Sequence, residues 1–251
     1  MCTKHDNTLF CGDYVDIISR IPKVSMILCD LPFGVTKCDW DIPVDMEVFW
    51  KALSSVRHKD TPVLSFGIEP FSSSIRTSNI DEFKYDWIWE KSKATGFLNA
   101  KRQPLRAHEV ISVFYDKPPT YNPQMTKGTP YNKGVRKKQT VNDVYGIFAE
   151  AEIKSSGERY PRSVLHFTTA EREGGFHKSQ KPVKLLEYLI KTYTNEGDIV
   201  FDPTMGSGSS CLAAANTGRR FIGCELNRDF FECAKSRLNA SSFSYSVEEN
   251  C

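Results

Sequence analysis

Short apolar runs alternate with helix-patterned segments along most of this chain, and that alternation confines it to a mostly parallel sheet with helices packed on its faces. The runs Met26–Cys29, Thr61–Phe66, Val110–Tyr115, Ile199–Phe201 and Arg220–Cys224 read as strands. Thr8–Cys11 adds a short one at the start, and Tyr85–Glu90 alternates with Trp87 and Trp89 on one face. Between them, Asp45–Arg57 carries Met46, Phe49, Trp50 and Leu53 at helical spacing. A second helix is expected at Pro70–Arg76, and a later one opens at Gln180-Lys181-Pro182, where proline suits the first turn, with Val183, Leu186, Leu189 and Ile190 on its apolar face. Cys211–Asn216 and Asp229–Leu238 are the last helical segments, and Ser241–Cys251 reads as a frayed tail.

One segment breaks the pattern. Asp116–Ser163 is rich in proline and mixes basic residues with Tyr121, Tyr131 and Tyr145, so it reads as an insertion with little regular structure. Charge is concentrated nearby: residues 91–140 hold 11 Lys/Arg against 2 Asp/Glu, a local +9 in a chain of net +2. A basic segment in an otherwise acidic protein points to a polyanionic partner. No apolar run approaches the roughly 20 residues of a membrane span, and the first residues lack the apolar core of a signal peptide. The expectation is a soluble cytoplasmic protein with no membrane partner. The eight cysteines form no C-x-x-C pair, and several sit in apolar strands, so no metal site or disulfide framework is expected.

Two strand ends carry chemistry. Met26–Cys29 runs into Asp30-Leu31-Pro32-Phe33-Gly34. In an open α/β sheet, ligands sit beyond the carboxyl ends of strands. A carboxylate and an aromatic face would project there together, suited to a planar amino group and the ring that bears it. Ile199-Val200-Phe201 runs into Asp202-Pro203-Thr204-Met205-Gly206-Ser207-Gly208, a strand-to-helix turn whose glycines permit close approach of a ligand. Glu225 ends the next strand, where an acid can accept both hydroxyls of a ribose. The third small position of a dinucleotide fingerprint is occupied by Cys211, and Asp202 puts negative charge where a phosphate would lie. Both features disfavour a nicotinamide cofactor. They suit a nucleoside with a cationic amine in its tail, S-adenosylmethionine. Gln180 and Lys181, at a helix start that favours anions, could meet the carboxylate of that tail.

With these motifs in hand, the sequence resembles the β group of DNA amino-methyltransferases, which modify the 6-amino group of adenine or the 4-amino group of cytosine. Asp30-Leu31-Pro32-Phe33 matches the family's D/N/S-P-P-Y/F, with Leu31 for a proline and Phe33 for the commoner tyrosine. Asp202–Gly208 matches D-P-F-x-G-S-G with Thr204 for phenylalanine, and His177–Pro182 matches H-x-x-Q-K-P. The resemblance spans about residues 8–238. It implies a Rossmann-like, circularly permuted methyltransferase fold with a mostly parallel sheet and a target-recognition insertion. It divides the chain into a catalytic half at 1–115, the insertion at 116–163, a cofactor-binding half at 164–240 and a tail at 241–251.

The roles follow by resemblance. Asp30 and the Leu31 carbonyl would accept the amine hydrogens, with Pro32 shaping the turn and Phe33 stacking on a base flipped out of duplex DNA. The cofactor would meet Asp13, His177, Gln180, Lys181, Phe201, Asp202, Thr204, Gly206, Ser207, Gly208 and Glu225. Double-stranded DNA would meet Asn99, Lys101, Arg102, Gln103, Arg106 and His108 near the flipped base. The insertion would add Arg136, Lys137, Lys138, Gln139 and Asn142, since Arg, Gln and Asn pair with base edges. An Asp in the first motif position favours adenine in this family, with cytosine as the alternative. A homodimer and a cognate restriction endonuclease are the partners the resemblance suggests. Rival readings are a DNA-binding module that kept only the fold, and a methyltransferase for RNA or protein.

Overall fold

The computed structural model describes residues 7–34, 41–142, 146–170, 180–241 and 243–249, with backbone alone for 139–142 and 146–148. The chain forms two compact units, one from residues 1–122 with 163–251 and a smaller one from Pro123–Arg162.

The larger unit is built on strands β1 (Thr8–Cys11), β2 (Met26–Cys29), β3 (Val63–Gly67), β4 (Phe83–Thr95) and β5 (Arg106–Phe114). After the smaller unit it resumes with β12 (Val164–Phe167), β13 (Ile199–Asp202), β14 (Arg220–Glu225) and β15 (Ser246–Glu249). These form one nine-stranded sheet in the order β12-β4-β5-β3-β2-β13-β14-β1-β15. Only β5 opposes its neighbours, pairing antiparallel with β3 and β4, while every other pairing is parallel. The first strand lies beside the late β14, with Cys11 opposite Glu225. A first strand seated beside a late one is the permuted order expected from the sequence.

Helices α1 (Tyr14–Ile17), α2 (Met46–Ser54) and α3 (Phe71–Ser78) cover one face. Their Tyr14, Ile17, Phe49, Leu53, Phe71 and Ile75 pack on Phe10, Ile27, Val63 and Phe201. Helices α4 (Val183–Tyr193), α5 (Ser209–Asn216) and α6 (Arg228–Ala240) cover the other. There Leu185, Leu186, Leu189, Ala213, Ala214 and Phe231 pack on Leu9, Leu28, Leu64 and Val200. Each buried Leu, Ile or Phe contributes about 1.5–3 kcal/mol relative to exposure, so the two apolar layers hold both helix sets to the sheet. The period-two alternation of side chains places neighbours in sequence on opposite faces, which becomes important at β13.

Two expectations need correction. The C-terminal segment is not frayed: β15 pairs in parallel with β1, Thr8 opposite Ser246 through Cys11 opposite Glu249. Its acids, which look solvent-bound in sequence, instead meet Arg20, Arg228 and Lys235. The smaller unit is not devoid of regular structure either. It holds three antiparallel pairs: β7 (Tyr131–Arg136) with β10 (Ala151–Ser155), β6 (Thr126–Lys127) with β11 (Glu158–Arg159), and β8 (Gln139–Asn142) with β9 (Gly146–Phe148). Strands β6, β7, β10 and β11 are short and mostly exposed, so no hydrophobic alternation betrays them. Their turns rely on glycine, as at Gly157, where φ is +105° and a Cβ would come within 2.6 Å of the Gly128 carbonyl oxygen. Among the described residues no helix is long and apolar enough to cross a membrane.

Candidate active site

Adjacent parallel strands deliver the two motif loops to one place. β2 pairs with β13, Met26 opposite Val200 and Ile27 opposite Phe201. Both strands therefore end at the same edge of the sheet, and the residues that follow them, 30–33 and 203–207, line one cavity of about 1870 Å³. That exceeds the roughly 300–1,000 Å³ of a single small-molecule site, leaving room for two ligands side by side. The loops touch directly: Thr204 Oγ1 donates to the Asp30 carbonyl oxygen at 3.3 Å.

The catalytic-motif end contains Asp30, Leu31, Pro32 and Phe33. Leu31 is buried, whereas Phe33 is partly exposed and its ring centroid lies 5.0 Å from that of Phe71. Asp30 Oδ2 accepts from Lys181 Nζ at 2.5 Å. Its other oxygen, Oδ1, is buried and has no hydrogen-bond partner. Burial pushes the Asp30 carboxyl above the usual carboxylate range, against the opposing pull of Lys181. Gly34 N donates to Asp41 Oδ1 at 2.8 Å, which anchors the end of the motif loop.

The glycine-loop end contains Asp202, Pro203, Thr204, Met205, Gly206, Ser207 and Glu225. Asp202 is buried and accepts from Thr204 N at 2.9 Å and from the Ser210 hydroxyl. No Lys or Arg pairs with it among the described residues. Burial raises its pKa to about 7, despite those two hydrogen bonds. Glu225 accepts from Gly206 N and from Asn227 N, each at 2.8 Å. Burial raises its carboxyl too, with the backbone donors pulling it back. A carboxylate has about four oxygen lone-pair sites, so these backbone donors, with Leu226 N beside them, do not use up its acceptor capacity. Asp13 both lines the cavity and caps α1, Oδ1 accepting from Val15 N at 2.9 Å.

Several residues expected to meet the cofactor are placed or engaged otherwise than the motif suggests. Phe201 is fully buried and absent from the cavity wall. Strand alternation sends Asp202 toward the cavity and turns Phe201 into the opposite core layer, beside Phe10 and Ile222. Gly208 is also absent from the wall. Its glycine is required by helix packing: φ is +74°, and a Cβ would stand 2.9 Å from Ala234 Cβ. Lys181 is not free at a helix start. Its ammonium is already engaged by Asp30, with Glu109 Oε2 at 3.5 Å on another side. Gln180 lines the cavity, and neither polar atom of its buried amide finds a partner. His177 lies outside the described residues.

The residues expected to meet DNA divide between the units. Asn99, Lys101, Arg102, Gln103, Arg106 and His108 are all exposed, on and beside the turn joining β4 to β5. Arg106 also reaches the cavity wall. Arg136, Lys137 and Lys138 belong to the smaller unit, where both lysines are exposed. Gln139 and Asn142 are described by backbone alone. Sequence reasoning missed Glu109, Lys91 and Asp41, all on the cavity wall. Glu109 had a signal: it is the single acid in the basic stretch 91–115. Among the described residues no cluster could hold a metal ion, and the described cysteines form no disulfide.

Comparison with known proteins decides the family. A family model described as DNA methylase matches residues 24–236. The chain belongs to this family. A type II methyltransferase of Moraxella bovis, M1.MboII, is 28% identical over 91% of the chain and 94% of its own length. M.HindIII of Haemophilus influenzae is 28% identical over 62% of the chain and 55% of its own length. The DNA adenine methyltransferase YhdJ of Escherichia coli is 42% identical over 73 residues, which is 29% of the chain and 24% of its own length. Among solved structures, the M1.HpyAVI–SAM complex superposes with a TM-score of 0.65 at 23% identity, covering 92% of this chain and 98% of that one. The cytosine-N4-specific PvuII DNA methyltransferase gives a TM-score of 0.66 at 16% identity, covering 97% and 95%. These last two likenesses establish the fold.

Proposed function

We propose that this protein transfers a methyl group from S-adenosylmethionine to the 6-amino group of adenine in duplex DNA. The observation that carries this reading is the pairing, in one cavity, of an unpartnered buried carboxylate oxygen with a second carboxylate that lacks a cation. Asp30 Oδ1 supplies the first and Asp202 the second. The cofactor fits the donor set. Asp202 would hold its cationic amine, Glu225 its ribose hydroxyls through the lone pairs left by Gly206 and Asn227, and Gln180 its carboxylate. When bound, S-adenosylmethionine supplies a methyl group on a positively charged sulfur.

The remaining work falls to the protein. An exocyclic amine is a weak nucleophile because its lone pair is delocalised into the ring. Acceptance of one amine hydrogen by Asp30 Oδ1, and of the other by the Leu31 carbonyl, draws the nitrogen toward tetrahedral geometry and localises that pair. Phe33 stacks on the base, which is flipped from the duplex to enter the cavity. Holding amine and methyl donor within reach supplies much of the rate. The exposed basic residues of the β4–β5 turn bind phosphates, and the smaller unit reads the target sequence. Adenine is favoured over cytosine because an aspartate opens the catalytic motif.

The test is incubation with labelled S-adenosylmethionine and mixed-sequence duplex DNA, then nucleoside analysis. Labelled N6-methyladenosine is the expected product, absent with Asp30→Ala although that variant still binds the cofactor. Labelled N4-methylcytidine would replace the adenine assignment with cytosine, and label in neither would refute the reading.

A further inference from the structure

Four charged side chains of alternating sign lead into the catalytic end of the cavity. Lys91 Nζ on β4 lies 3.1 Å from Glu109 Oε1 on β5. Glu109 Oε2 lies 3.5 Å from Lys181 Nζ, just ahead of α4. Lys181 Nζ lies 2.5 Å from Asp30 Oδ2, just after β2. The Lys91 and Lys181 side chains are 6% and 9% exposed, and that of Glu109 14%, so little water screens the chain. Lys181 Nζ also stands 5.1 Å from the Phe66 ring centroid and 5.8 Å from that of Phe33. Burying ions costs several kcal/mol each before pairing, and well-packed apolar side chains would be as stable or more so. Stability therefore does not account for such a chain. Its inner end does suggest a use: one Asp30 oxygen is clamped while the other is buried and unpartnered.

We propose that Lys181 and Glu109 are positioning residues for the methyl transfer. Lys181 grips Asp30 by Oδ2 and so leaves Oδ1, the oxygen without a donor, for the substrate amine, while Glu109, held by Lys91, keeps Lys181 in place. The inference rests on the reading of Asp30 as the amine acceptor. It assigns no contact with substrate to Lys181 or Glu109, and it gives Lys181 a role distinct from binding the cofactor tail.

The charge arrangement gives the couple a signature that packing alone lacks. The groups facing Asp30 are Lys181 from the start of α4, Glu109 from β5, Asp41 from the loop before α2, Asp202 from β13 and Cys29 from β2. Among the described residues, Lys181 is the sole cation of this group. Burial opposes its charge, yet Asp30 and Glu109 hold its pKa above the ordinary lysine value. Burial also works to raise Glu109, but Lys181 and Lys91 outweigh it and hold its carboxyl below the usual range. Removing the positive charge must raise the Asp30 titration midpoint. Neutralising Glu109 must lower it, because a negative neighbour is removed and Lys181 is left to Asp30 alone. A defect of packing would move both the same way or neither.

The experiment is carboxyl-carbon NMR titration of aspartate-labelled protein, with Asp30 assigned by Asp30→Asn. Wild type, Lys181→Met, Lys181→Arg and Glu109→Gln are compared. Methionine fills the space between the two phenylalanine rings without charge, and Glu109→Gln preserves shape and reports independently should the lysine variant fail to fold. The Asp30 midpoint is expected to rise in Lys181→Met, stay near wild type in Lys181→Arg and fall in Glu109→Gln. The acid limb of the kcat–pH profile on duplex DNA should move in the same directions. Midpoints that stay fixed, or move the same way in both charge-removing variants, overturn the proposal. A wild type that labels no DNA amine, with midpoints still moving in opposite senses, would support the charge couple and refute the methyl-transfer reading alone.

Discussion

Asp202 offers the sharpest quantitative test of the cofactor site. Its carboxyl is buried without a cation, and burial raises its pKa from 3.8 to about 7. A cationic amine requires the carboxylate form, so binding S-adenosylmethionine should expel a proton whenever the pH lies below about 7. The apparent dissociation constant then scales as one plus the ratio of protonated to ionised Asp202. With a pKa of about 7, this factor is about 11 at pH 6, 2 at pH 7 and 1.1 at pH 8, so binding at pH 6 should be about tenfold weaker than at pH 8, or about 1.4 kcal/mol. Calorimetry in two buffers of different ionisation enthalpy reads both affinity and protons released. About 0.9 proton should leave at pH 6 and about 0.1 at pH 8. Asp202→Asn should bind more weakly throughout and lose this slope, which separates Asp202 from Glu225 and Asp30. The same shift has a consequence for the ligand-free fold. Between about pH 4 and 7 the unfolded chain ionises Asp202 while the folded chain keeps its proton, so this group's contribution to stability falls as pH rises through that window and is level above it. An affinity that stays flat from pH 6 to 8, with no proton released, would refute the assignment of the cationic tail to Asp202.

Three further outcomes can be checked with ordinary assays. Phe33→Ala removes a stacking face worth about 1–3 kcal/mol per base; the KM for DNA should rise by about 5- to 150-fold, with kcat and cofactor affinity changed far less in steady-state kinetics and calorimetry. Lys101→Ala with Arg102→Ala should lower the slope of log affinity against log salt by about 0.9 for each phosphate that is no longer neutralised, measured by fluorescence anisotropy on labelled duplex; an unchanged slope would remove the β4–β5 turn from the DNA surface. Gly208→Ala forces a left-handed backbone on a side chain whose Cβ would lie 2.9 Å from Ala234 Cβ; the backbone cost alone is roughly 1–2 kcal/mol, which should lower Tm by about 2–8 °C in a domain of this size.

The parts of the site that the sequence reveals are those whose chemistry lies within a few consecutive residues. Asp30 and Phe33 announce themselves because an apolar run stops at an acid, a proline and an aromatic. The glycine turn is legible for the same reason, and the meeting of the two follows from a parallel sheet, whose strands all end on one side. What depends on register stays hidden. Glu109 reaches the cavity because β5 runs against its neighbours, Trp89 of β4 opposite Glu109, and no periodicity reveals that reversal. Lys181 shows as a basic residue at a helix start, but its anionic partners come from β2 and β5, 151 residues away in the case of Asp30. Phe201 and Gly208 illustrate the opposite case. Both sit inside a ligand motif, and both serve the core, because a motif prescribes the backbone path and the alternation of the strand decides which side chains face the ligand.

On the proposed function, three carboxylates at the ends of adjacent or nearby strands take three separate jobs from their surroundings. All are buried enough for desolvation to raise their pKa values. Glu225 is satisfied by two backbone amides, which favour the anion while leaving lone pairs for neutral hydroxyl donors. Asp202 has a backbone amide and a hydroxyl but no cation, so its charge is completed only by a ligand that carries one. Asp30 has a resident cation on one oxygen and no hydrogen-bond partner on the other; Lys181 favours its anion against the effect of burial and leaves the second oxygen to a weak, neutral donor. Exchanging these environments would exchange the functions: an Asp30 without Lys181 would compete with Asp202 for the cationic tail, and an Asp202 paired with a lysine would have no use for it. The separation of amine acceptor from cofactor anchor therefore resides in the placement of one lysine, and the opposed titration shifts of Lys181→Met and Glu109→Gln measure that placement directly.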